Sequence, residues 1–220
     1  MPSTTENSSA KNIWKRDKLI YGLLIVFGAA MVFIAATISP TPSQPQAAPQ
    51  YSAVQLPVDY KTRFNQYATV QRPDGTIRNL YIDPDSEDYL RNSFALPSGT
   101  IIVIEGYYAL KNAAGEYLQD SDGRYVLGEP FEMIHVLEKR NNWSEADFVD
   151  DNRIGEWNFG SFDTKTGKHY NENMSACFHC HSPTSRTDFL YSASLLGQYL
   201  RSGQVPYFFC DLPDRIACDS

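Results

Sequence analysis

The sequence predicts an α+β protein: a mainly antiparallel sheet with flanking helices, preceded by a single N-terminal transmembrane helix. Three observations carry that prediction. Residues 19–38, "LIYGLLIVFGAAMVFIAATI", hold no charge for twenty residues. Two Asp-Gly turn signals, "RPDGT" at 72–76 and "DSDGR" at 120–124, lie between runs rich in Ile, Val, Tyr and Phe, the pattern of antiparallel hairpins. Near the C-terminus Phe189, Ala193, Leu196 and Leu200 recur at three- and four-residue steps, as on one face of a helix.

Taken in order, residues 1–18 form a basic flank with Lys11, Lys15, Arg16 and Lys18, and no further Lys or Arg occurs before Lys61. That asymmetry predicts a cytoplasmic N-terminus and an exported remainder. As a helix, residues 19–38 are about 30 Å long, enough to cross a hydrocarbon core once. A cleaved signal peptide is the rival reading, although its apolar region is ordinarily about 7–15 residues long. Residues 39–57 contain Pro40, Pro42, Pro45, Pro49 and Pro57 among Ser, Gln and Ala, which predicts an extended tether rather than a core. The folded domain is then 58–220, placed in the periplasm or an equivalent extracytoplasmic space.

Within that domain the composition predicts strands over 67–72, 76–82, 100–110, 116–119, 124–127, 131–139 and 156–162. Helices are expected near 57–66, 84–94, 144–152 and 186–201, the last stopped by Gly203. The chain's net charge is −7, and because its first 38 residues hold a net +2, the remainder carries −9. Such an acidic domain excludes nucleic acid as a partner, since phosphate contacts need clustered Lys and Arg. A redox partner protein with a basic docking face suits it better.

The densest chemistry lies in "CFHCH" at 177–181, which places two of the four cysteines and two of the four histidines in five positions. In Cys-x-x-Cys-His, two thiols at this spacing can add to the vinyl groups of haem while the adjacent imidazole reaches the iron. Cys177 and Cys180 would carry the thioether links of a c-type haem, and His181 would be the proximal iron ligand. A zinc site using Cys177, Cys180, Cys210 and Cys218 has a loose second spacing. A redox-active Cys177–Cys180 disulfide would want a parallel βαβ setting, against the hairpin signals. Cys210 and Cys218 remain as an even pair, read as a structural disulfide in an oxidising compartment.

No Met or His follows His181, so any sixth iron ligand must come from upstream: Met133, His135, His169, Met174 or His179. In "FEMIHVLEK", strand alternation places Phe131, Met133, His135 and Leu137 on one face, so His135 projects from an apolar surface. By itself such a histidine is either a satisfied core residue or a ligand. Trp143 and Trp157 read as packing residues.

Together "TIRNLYIDPDSEDYLRNSFALPSGTIIVIEGY", "FEMIHVLEK", "GEWNFGSF" and "CFHCHSPTSRTDFLYS" resemble the cytochrome P-460 family, in its order, from about Tyr60 to Arg201. The most specific pieces are the "IDP" that follows "IR", the Pro-x-Gly-Thr opening a strand that ends in Glu105, Gly155-x-Trp157, and the Cys-x-x-Cys-His…Thr-Asp ending at Asp188. The resemblance implies a largely antiparallel sheet, one c-type haem and often a homodimer. It also implies hydroxylamine oxidation or the binding of small gases such as nitric oxide. In two places the chain departs from the pattern. Hydroxylamine-oxidising members carry a haem-linking lysine immediately before the strand-ending glutamate, where this chain has Ile104. The carboxylate that those enzymes place over the iron is replaced by His135.

The sequence therefore supports a membrane-anchored, extracytoplasmic mono-haem c-type cytochrome acting in electron transfer, with His181 and His135 on the iron. The alternative is a small-molecule oxidoreductase or gas-binding haem protein, taking nitric oxide, hydroxylamine or peroxide, with His135 as the distal hydrogen-bonding or catalytic residue.

Overall fold

The computed structural model describes residues 51–211, apart from residues 94, 150, 171 and 172. The basic flank, the anchor over 19–38, most of the tether and Cys218 lie outside the described residues. Among the described residues no helix is long and apolar enough to cross a membrane.

A short helix, α1 (Tyr60–Arg63), leads into strand β1 (Asn65–Gln71), and the 72–76 turn returns the chain as β2 (Thr76–Ile82). Gly75 sits at φ +80°, while the Asp74 carboxylate accepts from the Thr76 amide at 2.9 Å, so each residue of the Asp-Gly pair closes the turn in its own way. Helix α2 (Pro84–Leu90) follows at once. Asp83 caps it, accepting from the Ser86 amide at 2.8 Å, and its second oxygen accepts from the Ile101 amide at 2.8 Å. One buried carboxylate thus fixes both the helix start and the neighbouring strand, a physical reason for Asp-Pro at this point.

That strand is β3 (Ile101–Ala109), paired with the long β4 (Leu127–Lys139), which pairs in turn with β5 (Trp157–Asp163). Helix α3 (Ser175–His181) runs into a 3-10 segment (Ser182–Thr187), then helix α4 (Ala193–Ser202) and strand β6 (Tyr207–Phe209). The sheet order is β5-β4-β3-β2-β1-β6, antiparallel except for the β1–β6 pair. The architecture is α+β, as the sequence predicts, but the sheet is mixed.

Several elements differ from the sequence expectation. The segments at 116–119 and 124–127 flank the predicted Asp-Gly turn and meet through the isolated bridge Gln119–Tyr125 and the Val126 amide donating to the Leu118 carbonyl at 3.0 Å, without forming full strands; Tyr117 bridges back to Lys111, and Leu127 opens β4. The helix expected at 57–66 shortens to α1 because Phe64 is already extended. The one expected at 144–152 is a single 3-10 turn, Glu145–Asp147, closed by a Ser144–Asp147 capping box. The helix expected at 186–201 is broken, since Asp188 and Phe189 take left-handed φ values of 51° and 63°. Gly203, at φ +67°, ends α4 as predicted.

Strand alternation gives the sheet two buried faces. Val103, Ile134, Val136 and Phe162 pack on one face against Val54, Tyr60 and Phe64. Ile102, Leu137 and Phe159 point to the other and meet Phe178, Leu190 and Leu196 from the C-terminal helices. The site lies on this second side.

Candidate functional site

In α3 the motif residues Cys177, Cys180 and His181 stand three and four positions apart, so helical geometry brings all three to one side. Phe178, on another side of the same helix, is buried and anchors it edge-on to Phe159, with ring centroids 4.9 Å apart. The motif's spacing therefore presents two sulfurs and an imidazole in one direction while the intervening Phe fastens the helix to the core.

His181 lines a partly open cavity between the C-terminal helices and the sheet. The sheet wall is mainly aliphatic, Val70, Leu80, Ile102, Ile104 and Leu137, with Phe208 of β6 beside them. His181 Nδ1 lies 2.6 Å from the Phe189 carbonyl oxygen, a geometry in which the ring nitrogen donates its proton and Nε2 is left for another partner. Burial lowers the His181 pKa, the Phe189 carbonyl opposes that shift, and the charge of Arg78 adds to it. A neutral imidazole with one nitrogen committed to a carbonyl is the form that ligates a metal.

Two guanidinium groups, Arg72 and Arg78, also line the cavity. No acidic side chain joins them among its described lining residues. The Arg78 guanidinium makes no hydrogen bond or ion pair among the described residues, and burial, followed by repulsion from Arg72, lowers its pKa. An apolar wall with two arginines among its lining residues, and two thiols and a neutral imidazole beside it, suits a flat apolar group that carries carboxylates. Haem is such a group.

Neither Cys177 nor Cys180 is in a disulfide. Burial raises the Cys180 pKa, and the Tyr191 hydroxyl donates to the Cys180 carbonyl. Cys210 is disulfide-bonded, in keeping with the expected role for the C-terminal pair.

A family model, Cytochrome P460, matches residues 57–192, more than half of the chain. The protein belongs to the cytochrome P460 family. Membership implies a c-type haem protein, and the region matched contains the thiols, His181 and the sheet wall of the cavity. No curated protein matches the chain.

Of the upstream histidines that the sequence offers to a P460-family haem, His135 lies on the cavity face of the sheet. It is opposite Ile104 on β3 and two positions from Leu137, both of which line the cavity. His135 is half-buried at the cavity's border, outside the lining itself, and its Nδ1 is 3.2 Å from Ser161 Oγ. His169 stacks on Tyr51 and Phe162, His179 is exposed with Nδ1 2.9 Å from the Ser175 carbonyl, and Met174 is buried in the core.

Arg72, Arg78 and the Phe189 carbonyl are site features that the motif reading misses. For Arg78 a signal existed: it is in phase with Leu80 and Ile82, so it is a charged residue on the apolar face of its strand. For the Phe189 carbonyl there was none, because the left-handed turn that aims it is a product of tertiary packing.

Proposed function

We propose that this domain holds one c-type haem through thioether links to Cys177 and Cys180, with His181 on the proximal side of the iron, and binds a small neutral ligand opposite. The observation that carries the reading is the aliphatic sheet wall across the cavity from His181. Among the described lining residues His181 is the only histidine, and no methionine is present. Haem supplies the iron that takes up a ligand or an electron. The protein's residues hold its edges, keep His181 neutral and oriented, and limit water at the open face. Arg72 and Arg78 supply positive charge for carboxylates or for a ligand that gains negative charge on reduction.

Ile104 stands where hydroxylamine-oxidising relatives carry their haem-linking lysine, so the reading favours reversible binding of a gas such as nitric oxide over hydroxylamine turnover. His135 at the cavity border is placed to hydrogen-bond a bound ligand. Electron transfer through a His181–His135 haem is the second reading, favoured by the position of His135 beside Ile104 and Leu137. In either case the proposed setting is the extracytoplasmic face of a membrane, with residues 19–38 as anchor.

The test is the optical spectrum of protein matured with a c-type assembly system, recorded oxidised, reduced, and reduced under carbon monoxide. A high-spin spectrum that shifts with carbon monoxide is expected. A low-spin spectrum unmoved by carbon monoxide, and converted to high spin by His135→Ala, would instead establish the bis-histidine carrier.

A further inference from the structure

The proximal histidine's hydrogen bond ends on an unusual piece of backbone. Asp188 and Phe189 are consecutive non-glycine residues in the left-handed region, at φ 51° and 63°. Each costs about 1–2 kcal/mol relative to the right-handed form, so the turn persists only because its surroundings hold it. Backbone bonds supply part of the hold: the Phe189 amide donates to the Thr184 carbonyl at 2.9 Å and the Leu190 amide to the Thr187 carbonyl at 3.1 Å. The Phe189 ring packs on Gly155, where an added Cβ would meet it at 2.6 Å.

The other restraint is ionic. Lys139, at the end of β4, reaches across to Asp188 with Nζ 2.6 Å from Oδ2 and also donates to the Leu96 carbonyl at 2.9 Å. Glu156 stands farther off, at 3.9 Å. Only 10% of the Lys139 side chain is exposed, so this pair is screened less than a surface pair. The result is a continuous path: Lys139 ammonium, Asp188 carboxylate, the left-handed turn, the Phe189 carbonyl, His181 Nδ1–H.

We propose that Lys139 and Asp188 are positioning residues for the proximal ligand, locking the Phe189 carbonyl onto His181 and so setting the electron richness of the iron-binding nitrogen. This rests on His181 being the proximal ligand. A carbonyl held firmly on Nδ1–H raises the basicity of the imidazole and favours ferric iron. A carbonyl released from its buttress does so less.

The test uses Asp188→Asn and Lys139→Met in the haem-loaded protein. Asparagine tolerates the left-handed conformation, so Asp188→Asn removes the charge and leaves the turn accessible. Lys139→Met keeps most of the stem. Reduction potentials are measured for both variants, together with the iron–histidine stretching band of the reduced protein where the iron is five-coordinate.

The two substitutions remove opposite charges, so a field effect alone would shift the potential in opposite directions, up for Asp188→Asn and down for Lys139→Met. Positioning predicts an upward shift in both, with the stretching band moving to lower frequency. Opposite shifts, or no shift in either, overturn the proposal. If Asp188→Asn does not mature, Lys139→Met decides alone, since there the field and positioning effects have opposite signs. Failure of the wild type to show covalent haem, or loss of its proximal histidine signal without dependence on His181, would instead overturn the ligand assignment.

Discussion

Glu105→Gln should destabilise the fold by about 3 kcal/mol at neutral pH while leaving the haem spectrum in place. Glu105 is buried on the sheet face that points away from the cavity. Its carboxylate accepts from the Tyr60 hydroxyl, from those of Tyr81 and Tyr107 at 3.0 Å each, and from Lys61 at 2.7 Å. A hydrogen bond to an ionised group is worth about 1.5–3 kcal/mol against about 0.5–1.5 for a neutral one, so three tyrosine contacts lose roughly 1 kcal/mol each when the charge is removed. The Lys61 pair adds little, because 60% of that lysine side chain is exposed and solvent screens it. At about 2–4 °C per kcal/mol for a domain of this size, Tm should fall by roughly 6–12 °C.

The pH dependence gives a sharper check. Burial alone would raise the Glu105 pKa, but hydrogen bonds from Lys61 and Tyr60 outweigh it, and the net direction is downward. A carboxyl group whose folded pKa is depressed contributes stability above its unfolded pKa and loses it as pH falls through the folded pKa. The gap between wild type and Glu105→Gln, measured by urea unfolding, should therefore be full at pH 7 and shrink at pH values below the ordinary carboxylate range. A gap that is absent at pH 7, or that does not close in acid, would refute this account of the cluster.

Glu138 should behave oppositely. Its burial outweighs the Arg140 contact and raises its pKa, so wild type should lose stability as pH rises from the unfolded pKa through the folded one. Glu138→Gln should remove that slope and be at least as stable as wild type at pH 7, as urea titrations across pH would show. Gly155→Ala should cost about 2–4 kcal/mol in denaturant unfolding, combining a side chain at φ +51° with a Cβ 2.6 Å from the Phe189 ring. A cost below about 0.5 kcal/mol would mean that Phe189 is free to move. Arg78→Leu should lower the haem reduction potential by on the order of tens of millivolts, because a buried positive charge favours ferrous iron. An unchanged potential would place Arg78 outside the haem's field.

Much of the fold was legible because it is written in local chemistry. Asp74-Gly75 marks a turn through its own side chain and φ angle, Asp83-Pro84 marks a helix start, and the alternation of Ile102 with Val103 marks a strand with two buried faces. Other elements were not legible. Strand β6 has three residues and exists only because β1 offers it an edge to pair with in parallel. The helix carrying Cys177 and His181 has no long periodic stripe and is held by Phe178 packing.

The site divides along the same line. The proposed haem residues Cys177, Cys180 and His181 could be read from the sequence because the attachment chemistry proposed for them requires a fixed spacing within one turn of chain. His135 could be placed on an apolar face, since strand alternation is local, but its distance from the cavity could not, since that depends on how four strands and two helices close around it. The Arg72–Arg78 pair and the Lys139–Asp188–Phe189 path join residues 6 to 50 positions apart. Sequence alone determined which groups can attach and ligate haem; tertiary packing decided which charges, carbonyls and aliphatic walls surround them, because those contacts form only when distant segments meet.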